Sequence, residues 1–381
     1  MTNKKICVYA IAKNEMKFID TWLDSMKEAD YVVVLDTGSS DGTFEFLKTD
    51  PRVTRVEQKI FDPWRFDEAR NESMKLIPDD AEIFVCTDPD ERFVPGWCDA
   101  IRENWTDETT RAEYTYAWNH TELGEPMNVF KYDKIHIKGY HWIFPVHEVL
   151  WRDDDDWSKE KRIDLGEKVY LHHYQDLSVP RKNYMDLLEL AVKENPTSPH
   201  VRHLYCREFI LQGRQNEAYS KFFQVLNMTE SWTNPMFNLV LLDSILMLAS
   251  LSQQKGELEE TLYWCNQFLR VDDTYREPYL VAADVYCARG QFPQALEVLK
   301  MMYDKSYRHY SWVEKQANWL STDKFLYGTA LLGLEKYEEA LKYFDEVLIH
   351  EPNNTDVLRR KIICLESLAE QRKKNNEKSP N

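Results

Sequence analysis

Short apolar runs alternating with helix-spaced segments open the chain, and after Leu177 the strand-like runs disappear and helix spacing continues almost to the end. Runs of β-type residues predict strands at Ile6–Ala12, Tyr31–Asp36, Val53–Gln58 and Ala81–Cys86, then at Tyr114–Trp118, Lys134–Ile137 and Val169–His173. Between the first two, Phe18, Ile19, Trp22, Leu23 and Met26 recur at spacings of three and four, which predicts a helix over about 15–28 with one buried face. The order strand, helix, strand, helix is an α/β pattern. Later in this half helices become scarce, so antiparallel or mixed pairing is expected there.

In the second half the pattern lengthens into a repeat. GRQNEAYSKFFQVL, GELEETLYWCNQFL, GQFPQALEVL and EKYEEALKYFDEVL superpose with Ala218, Thr261, Ala295 and Ala340 at one position. The step from Thr261 to Ala295 matches the roughly 34-residue tetratricopeptide period, and the other two steps carry insertions. A small residue there suits the close approach of two helices, and Phe222, Leu299 and Phe344 follow on the same face. The expected organisation is an α/β domain over 1–177, tetratricopeptide-like helical repeats over 178–370, and a polar, disordered tail over 371–381.

Charge narrows the function classes. The 65 acidic and 48 basic residues leave a formal charge of −17, which disfavours a polyanion-binding surface and with it nucleic acid. Seven cysteines without C-x-x-C spacing read as buried thiols of a reducing, cytoplasmic compartment. No run approaches the roughly 20 apolar residues of a membrane span.

Candidate chemistry gathers at the ends of the predicted strands. EIFVCTDPDER ends a buried run in Asp88, Pro89 and Asp90, two acids that can project to one side of extended chain and hold a hard cation against phosphate oxygens. A plain Asp-rich turn is the competing reading. YVVVLDTGSSDGT runs a strand into a small-residue loop: Asp36 can accept hydrogen bonds from a base or ribose, Gly38 to Ser40 can approach a ligand closely, and Asp41 reads as a helix cap. Glu148, next to His147 in an apolar and aromatic patch, is either a general base or a scaffold carboxylate. His172 and His173 point to opposite faces of a strand, so only one can reach a metal. Trp142, Phe144 and Trp151 read as a stacking floor or as core, and Trp64 as a ligand contact or a packed turn.

In order, AKNE (Ala12–Glu15), DTGSSDGT, ARN (Ala69–Asn71) and TDPDE (Thr87–Glu91) resemble the nucleotide-sugar-binding half of family 2 glycosyltransferases, inverting enzymes of the GT-A fold. The resemblance implies that Asp88 and Asp90 hold Mg²⁺ or Mn²⁺ on the donor diphosphate, with His173 as a late third ligand and His172 or His147 as substitutes. It also implies that Asp36 contacts uracil or its ribose, that Asn14 and Glu15 lie near the nucleoside, that Arg70 lies near the diphosphate, and that Glu148 takes the acceptor proton. WIFPVHEVLW, followed by VYLHHY and helical repeats, is similar to peptide cysteine S-glycosyltransferases of the sublancin type and related bacterial enzymes with tetratricopeptide tails. Hexosyl transfer from a UDP-sugar to a peptide, protein or glycan is therefore the expected activity, with a homodimer through the repeats as a further expectation. A silent nucleotide-sugar fold whose repeats bind a protein partner is the alternative.

Overall fold

A computed structural model describes residues 4–121, 124–176, 184–228 and 237–377. The chain divides into two compact units, ending and beginning at Glu208 and Phe209. The expected boundary after 177 falls in 177–183, outside the described residues.

The first unit is a mixed sheet. Its strands are β1 (Ile6–Ala12), β2 (Tyr31–Asp36), β3 (Arg55–Gln58), β4 (Ile83–Cys86), β5 (Glu91–Phe93), β6 (Arg111–Ala117), β7 (Val129–His136), β10 (Arg162–Asp164) and β11 (Tyr170–His173), and β8 (Tyr140–Ile143) and β9 (Val149–Arg152) form a separate hairpin. The order is β3-β2-β1-β4-β7-β6-β11-β5, with β10 beside β6. From β3 to β4 all pairing is parallel, and β7 runs antiparallel to both β4 and β6. The expected change to mixed pairing thus falls between β4 and β7.

Every residue of β1 is buried, because the strand separates two cores. Ile6, Val8, Ala10 and Ala12 face one of them with Trp22, Leu23 and Trp97; Cys7, Tyr9 and Ile11 face the other with Ala69, Trp142 and Leu150. A period of two along a continuously apolar run produces this division, and each fully buried aliphatic side chain contributes about 1.5–3 kcal/mol. Helices α1 (Ile19–Met26) and α4 (Trp97–Asn104) cover the first face; α3 (Phe66–Met74) and the β8–β9 hairpin cover the second. Trp142 donates to the Tyr9 hydroxyl (3.0 Å), which donates to His136 Nε2 (2.8 Å), and His136 Nδ1–H donates to the Ile137 carbonyl (2.8 Å). This chain of bonds fastens the hairpin to the sheet.

Two predicted elements are shorter than their patterns. The first helix begins at Ile19 rather than near Glu15, because the amides of Asn14, Glu15 and Met16 are bonded by the loop after β2. Strand β3 begins at Arg55, after a turn in which Val53 N donates to Asp50 O (3.2 Å). The first unit also contains α5 (Tyr184–Glu194) and residues of α6 (Pro199–Leu211), whose Ala191 and Val201 pack on Phe144.

Throughout its described residues the second unit is helical. Its hairpins include α8 (Asn238–Gln254) with α9 (Leu258–Val271), α10 (Glu277–Ala288) with α11 (Phe292–Lys305), and α13 (Thr322–Gly333) with α14 (Tyr337–His350); α7 (Gln215–Leu226) precedes them and α12 (Ala317–Leu320) lies between the last two. Ala218, Thr261, Ala295 and Ala340 are all completely buried, as their shared repeat position requires. Helix α15 (Thr355–Glu377) reaches into the expected tail, and Val357, Cys364 and Leu368 lie along its buried face. Residues 378–381 lie outside the described residues. Six cysteines are buried, Cys287 is half-buried, and none forms a disulfide. Among the described residues no helix is long and apolar enough to cross a membrane.

Candidate functional site at the carboxyl ends of the parallel strands

The chain leaves β1 for β2 on one side and later returns to β4 on the other, so the strand order reverses direction beside β1. In open α/β sheets, ligands bind beyond the carboxyl ends of strands at such a switch point. Asn14 and Glu15 follow β1, Asp36 ends β2, and Asp88 and Asp90 follow β4.

The segments after β1 and β2 are tied together. Asn14, in the left-handed region at φ 61°, accepts from Ser40 N through its side chain (2.8 Å) and donates its amide to Ser39 Oγ (2.8 Å). Glu15 N donates to Thr43 Oγ1 (2.8 Å). Asp41 accepts from Thr43 N (3.0 Å), the first residue of α2 (Thr43–Thr49), and from Met16 N (3.2 Å); the N-cap position itself is Gly42, one residue after the expected cap. Asp36 is completely buried; its Oδ1 accepts from Gly38 N, Ser39 N and Gln58 Nε2 at 2.8–3.0 Å. Its Oδ2 is buried without a partner. An unpaired buried carboxylate oxygen is costly, and a ligand donor in this position removes the cost.

Asp88 and Asp90 do not share one side of an extended chain. The backbone turns between them: Glu91 N donates to Asp88 O, and Asp88 N to Glu91 Oε2, both at 2.9 Å. Asp88 therefore points into the sheet, where it accepts from Arg70 Nη2 (2.9 Å) and Lys134 Nζ (3.2 Å). Arg70 is 4 % exposed and also pairs with Glu148 through Nε, with its guanidinium 5.2 Å from the centre of the Trp142 ring. Glu148–Arg70–Asp88–Lys134 is thus a row of alternating charge in which both cations are buried and the Asp88 side chain stays 29 % exposed. Burial raises the cost of ionising Asp88, yet Arg70 and Lys134 outweigh it and hold its carboxyl well below the usual range. Glu91 is likewise buried and accepts from the Tyr116 hydroxyl (2.9 Å); burial, with Asp88 and Asp90 nearby, raises its pKa.

Asp90 turns the other way, to His173 Nε2 at 3.1 Å. His173 Nδ1 lies 2.8 Å from the Trp118 carbonyl, so that nitrogen carries a proton. Nε2 then either carries a second proton for Asp90 or presents a lone pair toward a cation shared with it. Burial opposes the imidazolium, but Asp90 reverses the balance and raises the pKa of His173. Close by, burial and the negative charges of Asp90 and Asp88 push Glu15 up to about 8.

Among the described residues no group of three or more His, Cys, Asp or Glu side chains is arranged to hold a metal ion. The expected set of Asp88, Asp90 and His173 is not assembled, because Asp88 is engaged by two cations. Asp90 and His173 together still fit a Mg²⁺- or Mn²⁺-type site, since such ions keep waters and take substrate phosphates beside one or two protein ligands.

His172 lies instead against His120, with Nδ1 and Nε2 2.8 Å apart, and His147 packs edge-on to Tyr184 at 5.8 Å. Trp142 and Phe144 are buried core, and Trp151 donates to Asp155 (2.5 Å), so these three make no common floor. Trp64 packs edge-on to Phe61 and Phe66. Lys134 was not anticipated, although a lysine leading the apolar residues of a predicted strand is a signal for a buried counterion. Gln58 and Tyr116 carried no such signal.

No protein-family model matches the chain, and no curated protein matches it. Among solved structures, a thermophilic tetratricopeptide-repeat protein of Thermus thermophilus is 20 % identical over 48 % of this chain and 88 % of its own, with a TM-score of 0.34. MamA protein is 14 % identical over 45 % and 83 %, at 0.34, and a tetratricopeptide repeat protein from Parabacteroides merdae is 15 % identical over 52 % and 73 %, at 0.37.

Proposed function

We propose that the first unit is a GT-A-type, metal-dependent inverting glycosyltransferase that uses a nucleoside-diphosphate sugar, with UDP as the nucleotide. The observation that carries this reading is the meeting of Asp36, Glu15, Asp88, Asp90 and His173 beyond the parallel strands at a switch point, with the Asp36 Oδ2 atom unpaired. Asp36 accepts from the base or ribose. Asp90 and His173 hold the divalent cation, which neutralises charge on the leaving diphosphate. Arg70 and Lys134 keep Asp88 ionised and fixed beside that site.

Glu148, kept next to Arg70, takes the proton of an acceptor hydroxyl, thiol or amide as the acceptor attacks the anomeric carbon. The bond from that carbon to the diphosphate breaks on the opposite face, so one displacement inverts the centre. The second unit is proposed to present a peptide, protein or glycan acceptor, because helical hairpins in series offer extended surfaces.

Thermal-shift measurements with a panel of nucleoside-diphosphate sugars plus Mn²⁺ test the donor reading; a donor at a hundred times its Kd stabilises by about 2.7 kcal/mol. Asp90→Ala is expected to abolish donor turnover with the fold intact by circular dichroism. Full activity in EDTA, or undiminished turnover by the variant, would refute the cation assignment.

A further inference from the structure

Helix α15 carries two apolar faces. Val357 and Cys364 pack with Leu331, Phe344 and Val347, and Leu368 continues this buried row. About 100° around the helix from it, Leu358, Ile362, Leu365 and Ala369 form a second row at steps of four, three and four. Leu358, Ile362 and Leu365 are 40–54 % exposed, and Ala369 is exposed as well. An apolar stripe with this spacing on a surface helix is the seam of a two-helix coiled coil, and covering it removes apolar area from water.

Charge along the helix identifies what covers the seam. Arg359 and Glu366 lie on one edge of it, both exposed, and neither forms an ion pair among the described residues. Seven residues separate them, about 10 Å along the axis, which is too far for a pair within one helix. The adjacent cations are already engaged, Arg360 with Asp356 (3.2 Å) and Lys361 with Asp345. Laying two copies of the helix antiparallel, with Ile362 opposite Leu365 and Leu358 opposite Ala369, sets Arg359 of each against Glu366 of the other. A parallel pair would instead offer Asn354 to Arg359 and Lys361 to Glu366, and Lys361 is held by Asp345. We propose that α15 is a dimerisation helix, which pairs antiparallel with α15 of a second copy of this chain across a two-fold axis. Glu366 and Glu370 on the same edge oppose an anionic lipid surface as the alternative occupant. The pairing is independent of the chemistry of the first unit. A seam of this length is short for a permanent interface, so association with a Kd in the micromolar range is expected.

Sedimentation velocity of the full chain over a concentration series from about 1 to 200 µM measures the association. The wild-type chain is expected to pass from monomer to dimer across the series. Ile362→Glu, at an exposed position, is expected to stay monomeric throughout while its circular dichroism spectrum and thermal midpoint match the wild type. Arg359→Glu and Glu366→Arg should each weaken self-association about tenfold, because each places like charges opposite one another twice. Combining the two substitutions in one chain should restore the wild-type Kd to within about twofold, and mixing the two single variants should give a mixed dimer tighter than either forms alone. A pair too distant to meet within one helix cannot produce that restoration by itself. A wild-type chain that is monomeric across the whole series overturns the proposal, as does an Ile362→Glu dimer. Failure of the double variant to restore association overturns the antiparallel register, and a monomeric chain that co-sediments with phosphatidylserine vesicles assigns the stripe to lipid instead.

Discussion

Each unit pairs a buried arginine with an aspartate, and the two aspartates differ in exposure: Asp323 is completely buried, whereas the Asp88 side chain is 29 % exposed. In the helical unit Asp323 accepts from Arg276 (3.1 Å), Tyr303 (2.5 Å) and Lys324 (3.1 Å), while Arg276 lies 3.9 Å from the centre of the Trp319 ring and donates to the Asn318 carbonyl. These contacts join the start of α10 to α11, α12 and α13. At the strand ends Asp88 is matched by Arg70 and Lys134, but Asp36 keeps an unpaired oxygen and Glu15 faces two more carboxylates. The first pair ties helices together, although Arg276 Nε is also buried without a partner. The second belongs to a group of acids that still favours the arrival of a cation and a hydrogen-bond donor.

The largest expected effect tests whether both pairs are equally structural. Removing one partner of a buried ion pair costs about 3–5 kcal/mol because the remaining charge is stranded. Arg70→Ala and Arg276→Ala should therefore each lower the denaturant-derived stability of the unit that contains it by about that amount. At temperatures where both variants stay folded, only Arg70→Ala should weaken nucleotide binding. Equal loss of nucleotide binding in the two variants would erase the distinction between them.

Much of the helical unit was legible because its signal repeats. Ala218, Thr261, Ala295 and Ala340 mark equivalent buried positions, and strands such as β1 and β2 match their apolar runs residue for residue. The site was legible as a set of strand ends and less so in its directions. The turn at Asp88–Asp90 is the competing local reading, but no local pattern reveals that it sends Asp88 to Lys134, a residue from an antiparallel strand entering next to β4. Strands β5, β8, β9 and β10, of three or four residues each, are too short to display a period. Trp118 and Tyr174 gave no warning of exposure, because an aromatic residue at the end of a strand is more often covered.

A second prediction uses acidity to separate the sheet from the helices. Burial drives His136 down from 6.5 to about 3, and its neutral ring already donates from Nδ1 and accepts at Nε2. As pH falls below 6.5 the unfolded chain gains a proton there that the folded chain refuses, so stability declines until about pH 3. The slope from this one group approaches about 1.4 kcal/mol per pH unit. Hydrogen exchange of β4 and β7 amides should record the decline, and His136→Gln, which retains an acceptor for Tyr9, should flatten it. An unchanged slope in that variant would assign the acid sensitivity to other groups.

The smallest expected effect lies within the repeats and tests how strictly they repeat. Five residues before each marker residue the backbone turns through the left-handed region: Gly213 at φ 73°, Gly256 at 76°, Gly290 at 70°, and Glu335 at 60°. All four turns share one bonding pattern, illustrated by Gly290 N to Cys287 O and Gln291 N to Tyr286 O, and by Glu335 N to Leu332 O and Lys336 N to Leu331 O. Only glycine adopts this conformation without a Cβ clash, which costs other residues about 1–2 kcal/mol, whereas glycine gives back about 0.4–1 kcal/mol through the freedom of the unfolded chain. Glu335→Gly should therefore stabilise the helical unit by about 0.5–1 kcal/mol, and Gly290→Ala should destabilise it by about the same amount. Urea titrations of the two variants decide the matter: shifts of the midpoint in opposite directions are expected, and a destabilising Glu335→Gly would mean that the glutamate side chain compensates for its backbone in a way the other three turns do not need.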